Sequence, residues 1–148
     1  SPTLLDDKTM QYLNSNGCHY KGSVSKNEVA KIQQEADIVV FVESLEAEHR
    51  YAARLSFSTK LTDYFASGKC IFAIGDEHIE YLKENDAAII ATDYSEVEAK
   101  LRELLDTPER ISEYGYKAFE CGKRNHEESV VKRTFVETIC KAAFKEKK

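Results

Sequence analysis

The sequence predicts an α/β fold, an open and mostly parallel sheet with helices on both faces, and three observations predict it. Short apolar runs at Asp37–Val42 (DIVVFV), Cys70–Ile74 (CIFAI) and Ala87–Ala91 (AAIIA) are nearly continuous in hydrophobicity and bounded by Gly, Asp or Asn. Strands of a parallel sheet read this way when both faces are covered. Stretches with apolar residues at helical spacing lie between them, and the two kinds of segment alternate. Such alternation yields parallel strands joined by right-handed crossovers.

Each element has its own local signal. Cys18–Lys21, after the turn pair Asn16-Gly17, is a further strand candidate. Ser25–Glu35 opens with Ser25 and Glu28 at capping-box spacing and places Val29 and Ile32 on one face. Thr59–Ser67 groups Leu61, Tyr64 and Phe65 and stops before Gly68. Glu77–Glu84 follows, then Ser95–Leu105, with Ser95 as the expected N-cap and Val97, Leu101, Leu104 and Leu105 as its apolar stripe. Pro108 suits a first helical turn, and a last pattern runs from Glu128 to Lys145.

Size and charge bound the function. The 148 residues suffice for one domain with one core. No apolar run approaches the roughly 18 residues of a membrane span, and the acidic start Ser1–Asp7 does not read as a signal peptide. Because the chain opens on Ser1 rather than methionine, it is expected to be a piece of a longer protein. A net charge of −5 argues against general nucleic-acid binding, which draws its affinity from a basic surface. Acids outnumber bases from Asp76 to Glu113, whereas Lys117–Lys148 is basic. That basic stretch reads first as a solvated helix face; the sharper alternative is a surface for phosphates or an anionic membrane. Cys18, Cys70, Cys121 and Cys140 form no C-x-x-C pair and no zinc spacing. A reduced, cytoplasmic setting is the expectation.

Chemistry is expected near the loop Glu43–Phe57 and the helix that follows it, because ligands in such sheets bind beyond the carboxyl ends of the strands. The first N–H groups of a helix lack internal partners and carry the positive end of its dipole, so they can receive a diphosphate. Ser58 and Thr59 could add hydroxyl donors there, Lys60 a positive charge, and Asp63 a carboxylate able to accept from a ribose diol. The plainer reading makes Ser58 an N-cap and Lys60–Asp63 a surface pair.

Residues Phe57–Gly75 (FSTKLTDYFASGKCIFAIG) resemble the donor-site signature of the glycosyltransferase family 4 enzymes and their GT-B relatives, which pair two Rossmann-like lobes. Asp37–Ser44 (DIVVFVES) is similar to the strand that precedes that signature, Gly22 with Val29–Ala36 to a segment upstream, and Leu101–Glu109 (LRELLDTPE) to a helix downstream. The similarity spans Cys18 to Ile139.

The resemblance implies a single Rossmann-like donor-binding domain over residues 1–148, with C-terminal helices from about 108 to 146. It implies binding of a UDP- or GDP-linked sugar and transfer of a hexosyl group to an acceptor hydroxyl. Asp63 matches the position where the family places a ribose-binding Glu, and Ser58, Thr59 and Lys60 match its phosphate-binding helix start. The family pattern Glu-x7-Glu is not kept, since Leu55 stands eight positions before Asp63. Glu43, Glu46 and Glu48 are alternatives for the sugar contact, with His49 and Arg54 as further loop candidates.

No Asp-x-Asp motif occurs, so metal-independent transfer without a cofactor is the expectation. An N-terminal acceptor-binding lobe of the same parent chain is the implied partner, with peripheral membrane association of the parent. The chain alone is expected to be inactive. A catalytically silent relative and a flavodoxin-like interaction domain are the competing readings.

Overall fold

The structure, a computed structural model, describes residues 5–43, 57–75 and 77–145. The chain divides into two compact units, residues 1–32 and 33–148.

In the first unit, α1 (Asp7–Ser15) is capped by Asp6. The Thr9 N–H donates to one carboxylate oxygen of Asp6 at 2.9 Å and the Thr9 hydroxyl to the other at 3.0 Å. The strand expected at Cys18–Lys21 does not form, and these residues are exposed coil. Cys-His-Tyr-Lys offers no alternating apolar face to bury, and a strand without a buried face has little to hold it. α2 (Lys26–Glu35) opens in this unit on the predicted capping box. The Ser25 N–H donates to Glu28 Oε2 at 2.8 Å, and the Glu28 N–H donates to Ser25 Oγ at 3.3 Å. Val29 and Ile32 share a face but remain partly exposed.

The second unit holds the sheet. β1 (Ile38–Val42), β2 (Cys70–Ile74) and β3 (Ile89–Ala91) are parallel in the order β1-β2-β3. Ile38 pairs with Cys70 and Phe72 with Ile89. Between the strands run α3 (Thr59–Ser67) and α4 (Glu77–Glu84), followed by α5 (Tyr94–Asp106), α6 (Pro108–His126) and α7 (Glu128–Lys145). The predicted fold class is the observed one: a mixed α/β, Rossmann-like domain.

Two cores follow from strand alternation. Val39 and Phe41 of β1 and Ile71 and Ala73 of β2 share one face with Leu61 and Phe65 of α3 and Ile79 and Leu82 of α4. Cys70, Phe72 and Ile74 point to the other face, with Ile89, Ala91 and Leu104. Complete burial of Leu61 and Phe65 stabilises the unit by roughly 1.5–3 kcal/mol apiece. Burial pushes the Cys70 thiol up to about 11, which makes it an inert core residue.

α6 serves both cores: Ile111 and Tyr114 pack on the second, Ala118 and Cys121 belong to the first. It changes face beside the start of β2, where a Cβ on Gly115 would lie 2.6 Å from the Gly68 carbonyl oxygen. Only glycine permits that approach.

Three sequence expectations need correction here. The N-cap of α5 is Asp93, whose carboxylate accepts from the Ser95 N–H at 2.7 Å; with Asp93 in the capping position, Ser95 becomes helical. The second face of β1 is covered only in part: Ile38 packs on the second core, but Val40 and Val42 are 49% and 56% exposed. At Leu105 the α5 stripe breaks, with 63% exposure, because it lies one residue, and so about 100°, round the helix from buried Leu104. Among the described residues no helix is long and apolar enough to cross a membrane.

Candidate functional site

The carboxyl end of the sheet gathers the ends of three strands. Glu43 follows β1, and its N–H donates to the Ile74 carbonyl at 2.8 Å, extending the ladder by one rung. Gly75 follows β2, and its N–H reaches the Ala91 carbonyl at 3.4 Å. Gly75 has φ +155°, and a Cβ there would fall 2.7 Å from the Glu43 Cβ and 3.2 Å from Glu43 Oε2. The half-buried Glu43 side chain thus lies over the Gly75 backbone.

A helix joining two parallel strands starts at the carboxyl end of the first and returns to the amino end of the second, so the topology puts the start of α3 at this same end. Ser58 is its N-cap by backbone conformation, φ −69° and ψ 116°, rather than through a capping bond from its hydroxyl. Its carbonyl accepts from the Leu61 N–H at 3.1 Å. Leu61 and Phe65 pull one side of α3 into the core, which leaves Thr59, Lys60 and Asp63 exposed. Thr59 and Asp63 stand one turn apart on a shared face. The plainer surface-pair reading does not hold: among the described residues no ion pair joins Lys60 to Asp63, and the cations so engaged are others, such as Lys100 with Glu96 and Lys117 with Asp86. Glu46, Glu48, His49 and Arg54 lie outside the described residues.

Tyr64, next to Asp63, ties this helix to β1. Its hydroxyl donates to the Val40 carbonyl at 3.2 Å. Burial, and then the neighbouring Asp63 carboxylate, hold the Tyr64 phenol above its ordinary value, so it acts as a neutral donor. The glycine at the far end of α3, Gly68, is left-handed at φ 65° and ends the helix as predicted.

A cluster that sequence reasoning missed sits on the other flank of α3. His126 lies between the rings of Phe57 and Phe65, stacked at centroid distances of 5.0 and 5.3 Å. Its Nε2 is 2.7 Å from the Tyr81 hydroxyl, which also accepts from Asn125 Nδ2 at 3.1 Å. Asn125 donates further to Asn85 Oδ1 at 3.0 Å. Burial raises the Tyr81 phenol to about 12 and lowers His126. Gly122 allows the close packing, since a Cβ there would lie 2.7 Å from the Phe65 Cβ. A cavity of about 230 Å³ opens beside it, lined by Thr62, Ala66, Lys123 and Glu127 among others. Asp63 is not part of its wall. The only sequence signal for this cluster was one more histidine on a helix, which usually means a structural residue.

The family model described as glycosyl transferase-like matches residues 6–135, which includes every strand and all of α1 to α6. The chain belongs to the glycosyl transferase-like family. No curated protein matches it in a sequence search. The glycosyltransferase-like domain is therefore of the transferase kind, and its family chemistry is sugar transfer. Within it, Glu43, Ser58, Thr59 and Lys60 belong to the carboxyl end of the sheet by connectivity, while Asp63 extends that face one turn down α3.

Proposed function

We propose that the chain is the nucleotide-sugar-binding, C-terminal lobe of a two-lobed GT-B glycosyltransferase of the family 4 type, and that the parent transfers a hexosyl group from a nucleoside diphosphate to an acceptor hydroxyl. The observation that carries the reading is the helix start Ser58–Lys60, exposed at Thr59 and Lys60, with exposed Asp63 one turn on, following the first of three parallel strands in a glycosyl transferase-like domain. The diphosphate sits on the first amides of α3, with the Ser58 and Thr59 hydroxyls and the Lys60 ammonium as further donors. Asp63 accepts from the ribose diol, and Glu43 faces the sugar beside the Gly75 backbone.

Charge that develops on the departing diphosphate is stabilised by fixed amide dipoles and Lys60, which need no reorganisation during the reaction. The acceptor enters from an N-terminal lobe of the parent protein, which associates peripherally with a cytoplasmic membrane face. Calorimetric titration of UDP and GDP into the chain and its Asp63→Asn variant tests the ribose contact. Loss of one charged hydrogen bond weakens binding roughly tenfold; equal affinity of the two proteins refutes the assignment.

A further inference from the structure

We infer that His126 is a positioning residue for the diphosphate site: its neutral ring holds Phe57, and through Phe57 the first turn of α3, and protonation releases both. The inference rests on the reading above for its effect on nucleotide, but the latch itself rests on geometry alone. Phe57 immediately precedes the N-cap Ser58, so whatever fixes the Phe57 ring fixes the approach of the chain to α3. That ring meets His126 in a stack with an interplanar angle of 25° and Tyr81 edge-on at 5.3 Å. On its other side His126 is stacked at 20° on Phe65, which is fully buried. The imidazole therefore bridges a fixed core ring to a ring that is 40% exposed.

The contacts accommodate a neutral ring whose Nε2 accepts a hydrogen bond from Tyr81. With Asn125 donating to the Tyr81 oxygen, the Tyr81 proton is available for His126 Nε2 at 2.7 Å. A protonated Nε2 must donate instead, so the Tyr81 proton has to turn to Cys121 Sγ at 3.7 Å, a weak acceptor. Among the described residues, the groups contributed by other elements bring no charge: Phe57 and Phe65 from the α3 side, Tyr81 and Asn85 from α4. Lys123 and Arg124 on its own helix oppose a cation, and the acids close in sequence are Glu127, at the cavity rim, and Glu128 at the start of α7. An imidazolium gains most by swinging toward that rim and water, which takes the partner ring away from Phe57.

The test follows the His126 ring, the Phe57 ring and the Ser58–Lys60 amides by NMR between about pH 8 and about pH 5, the range over which imidazole changes charge. All three are expected to shift with one midpoint, below that of a free histidine. Tyr81→Phe, which removes the donor that favours the neutral ring, should move that shared midpoint upward, whereas a merely structural histidine would leave the amides flat. His126→Phe keeps a ring in the stack and should abolish the pH response of Phe57 and the amides. Amides that ignore the His126 titration, or that still titrate in His126→Phe, overturn the latch. In a parallel UDP titration, wild type should lose affinity several-fold more than His126→Phe on acidification, the variant accounting for the phosphate's own titration. Absence of UDP binding at every pH refutes the diphosphate site and leaves the NMR result to judge the latch.

Discussion

Glu43 lies across Gly75 so closely that a Cβ at position 75 would fall 2.7 Å from the Glu43 Cβ. These two residues end neighbouring strands, and their contact brings a carboxylate over bare backbone at the mouth of the candidate site. Gly75→Ala adds both that clash and the strain of φ +155°, and the Glu43 Cβ cannot rotate aside. We expect it to lower unfolding free energy in urea by about 1–3 kcal/mol. Glu43→Gly in the same background should restore part of the loss by removing the clash but not the strain.

Gly115 and Gly122 set two magnitudes against each other. Alanine in a helix interior is worth about 1 kcal/mol over glycine. Here its Cβ would meet the Gly68 carbonyl oxygen at 2.6 Å or the Phe65 Cβ at 2.7 Å, and overpacking of that kind costs about 1–3 kcal/mol. The clash is expected to win at both sites, so each Gly→Ala variant should unfold at lower urea than the wild type.

Among the described residues, each edge of the sheet has one outward carbonyl bonded by a side chain. Since Glu43 and Ala91 direct their backbone groups toward β2, alternation turns the Val40 and Ile90 carbonyls outward. Tyr64 bonds the first at 3.2 Å and Lys100 the second at 2.7 Å. Tyr64→Phe and Lys100→Met should each cost about 0.5–1.5 kcal/mol. Both should also raise self-association in light scattering, because open strand edges recruit other chains.

Burial lowers His126, so the folded state binds fewer protons than the unfolded one between the depressed value and the ordinary value of about 6.5. Its contribution to stability is therefore fully present above about pH 6.5 and is lost as pH falls through that window. The urea midpoint of wild type should drop across it by more than that of His126→Phe; parallel curves would show that His126 does not carry the effect.

Local chemistry made the elements legible. α3 (Thr59–Ser67), β2 (Cys70–Ile74) and α4 (Glu77–Glu84) have the bounds that the sequence predicts, because Gly68, Gly75 and Asn85-Asp86 stop them and such backbone preferences act over a few positions; α7 (Glu128–Lys145) also has its predicted bounds, from its helical pattern alone. Elements that depend on distant partners were not legible. Cys18–Lys21 has turn chemistry before it but no buried face, and continuous hydrophobicity in β1 did not reveal that Val40 and Val42 stay exposed. The Phe57–His126–Tyr81 cluster joins residues 45 and more positions apart in part, which no local pattern encodes. The start of α3 at Ser58 was legible from its local pattern, whereas the Glu43–Gly75 contact depends on the register of two distant strands.

The central claim is that a nucleoside diphosphate sits on the start of α3. Its most direct measurement is an amide chemical-shift titration of the chain with UDP, GDP and their sugar-linked forms. We expect saturable shifts concentrated at Ser58, Thr59, Lys60 and Asp63, with Glu43 and Gly75 responding more to the sugar-linked forms. Unmoved amides at Ser58–Lys60 up to millimolar nucleotide, about −4 kcal/mol on the binding scale, would contradict it.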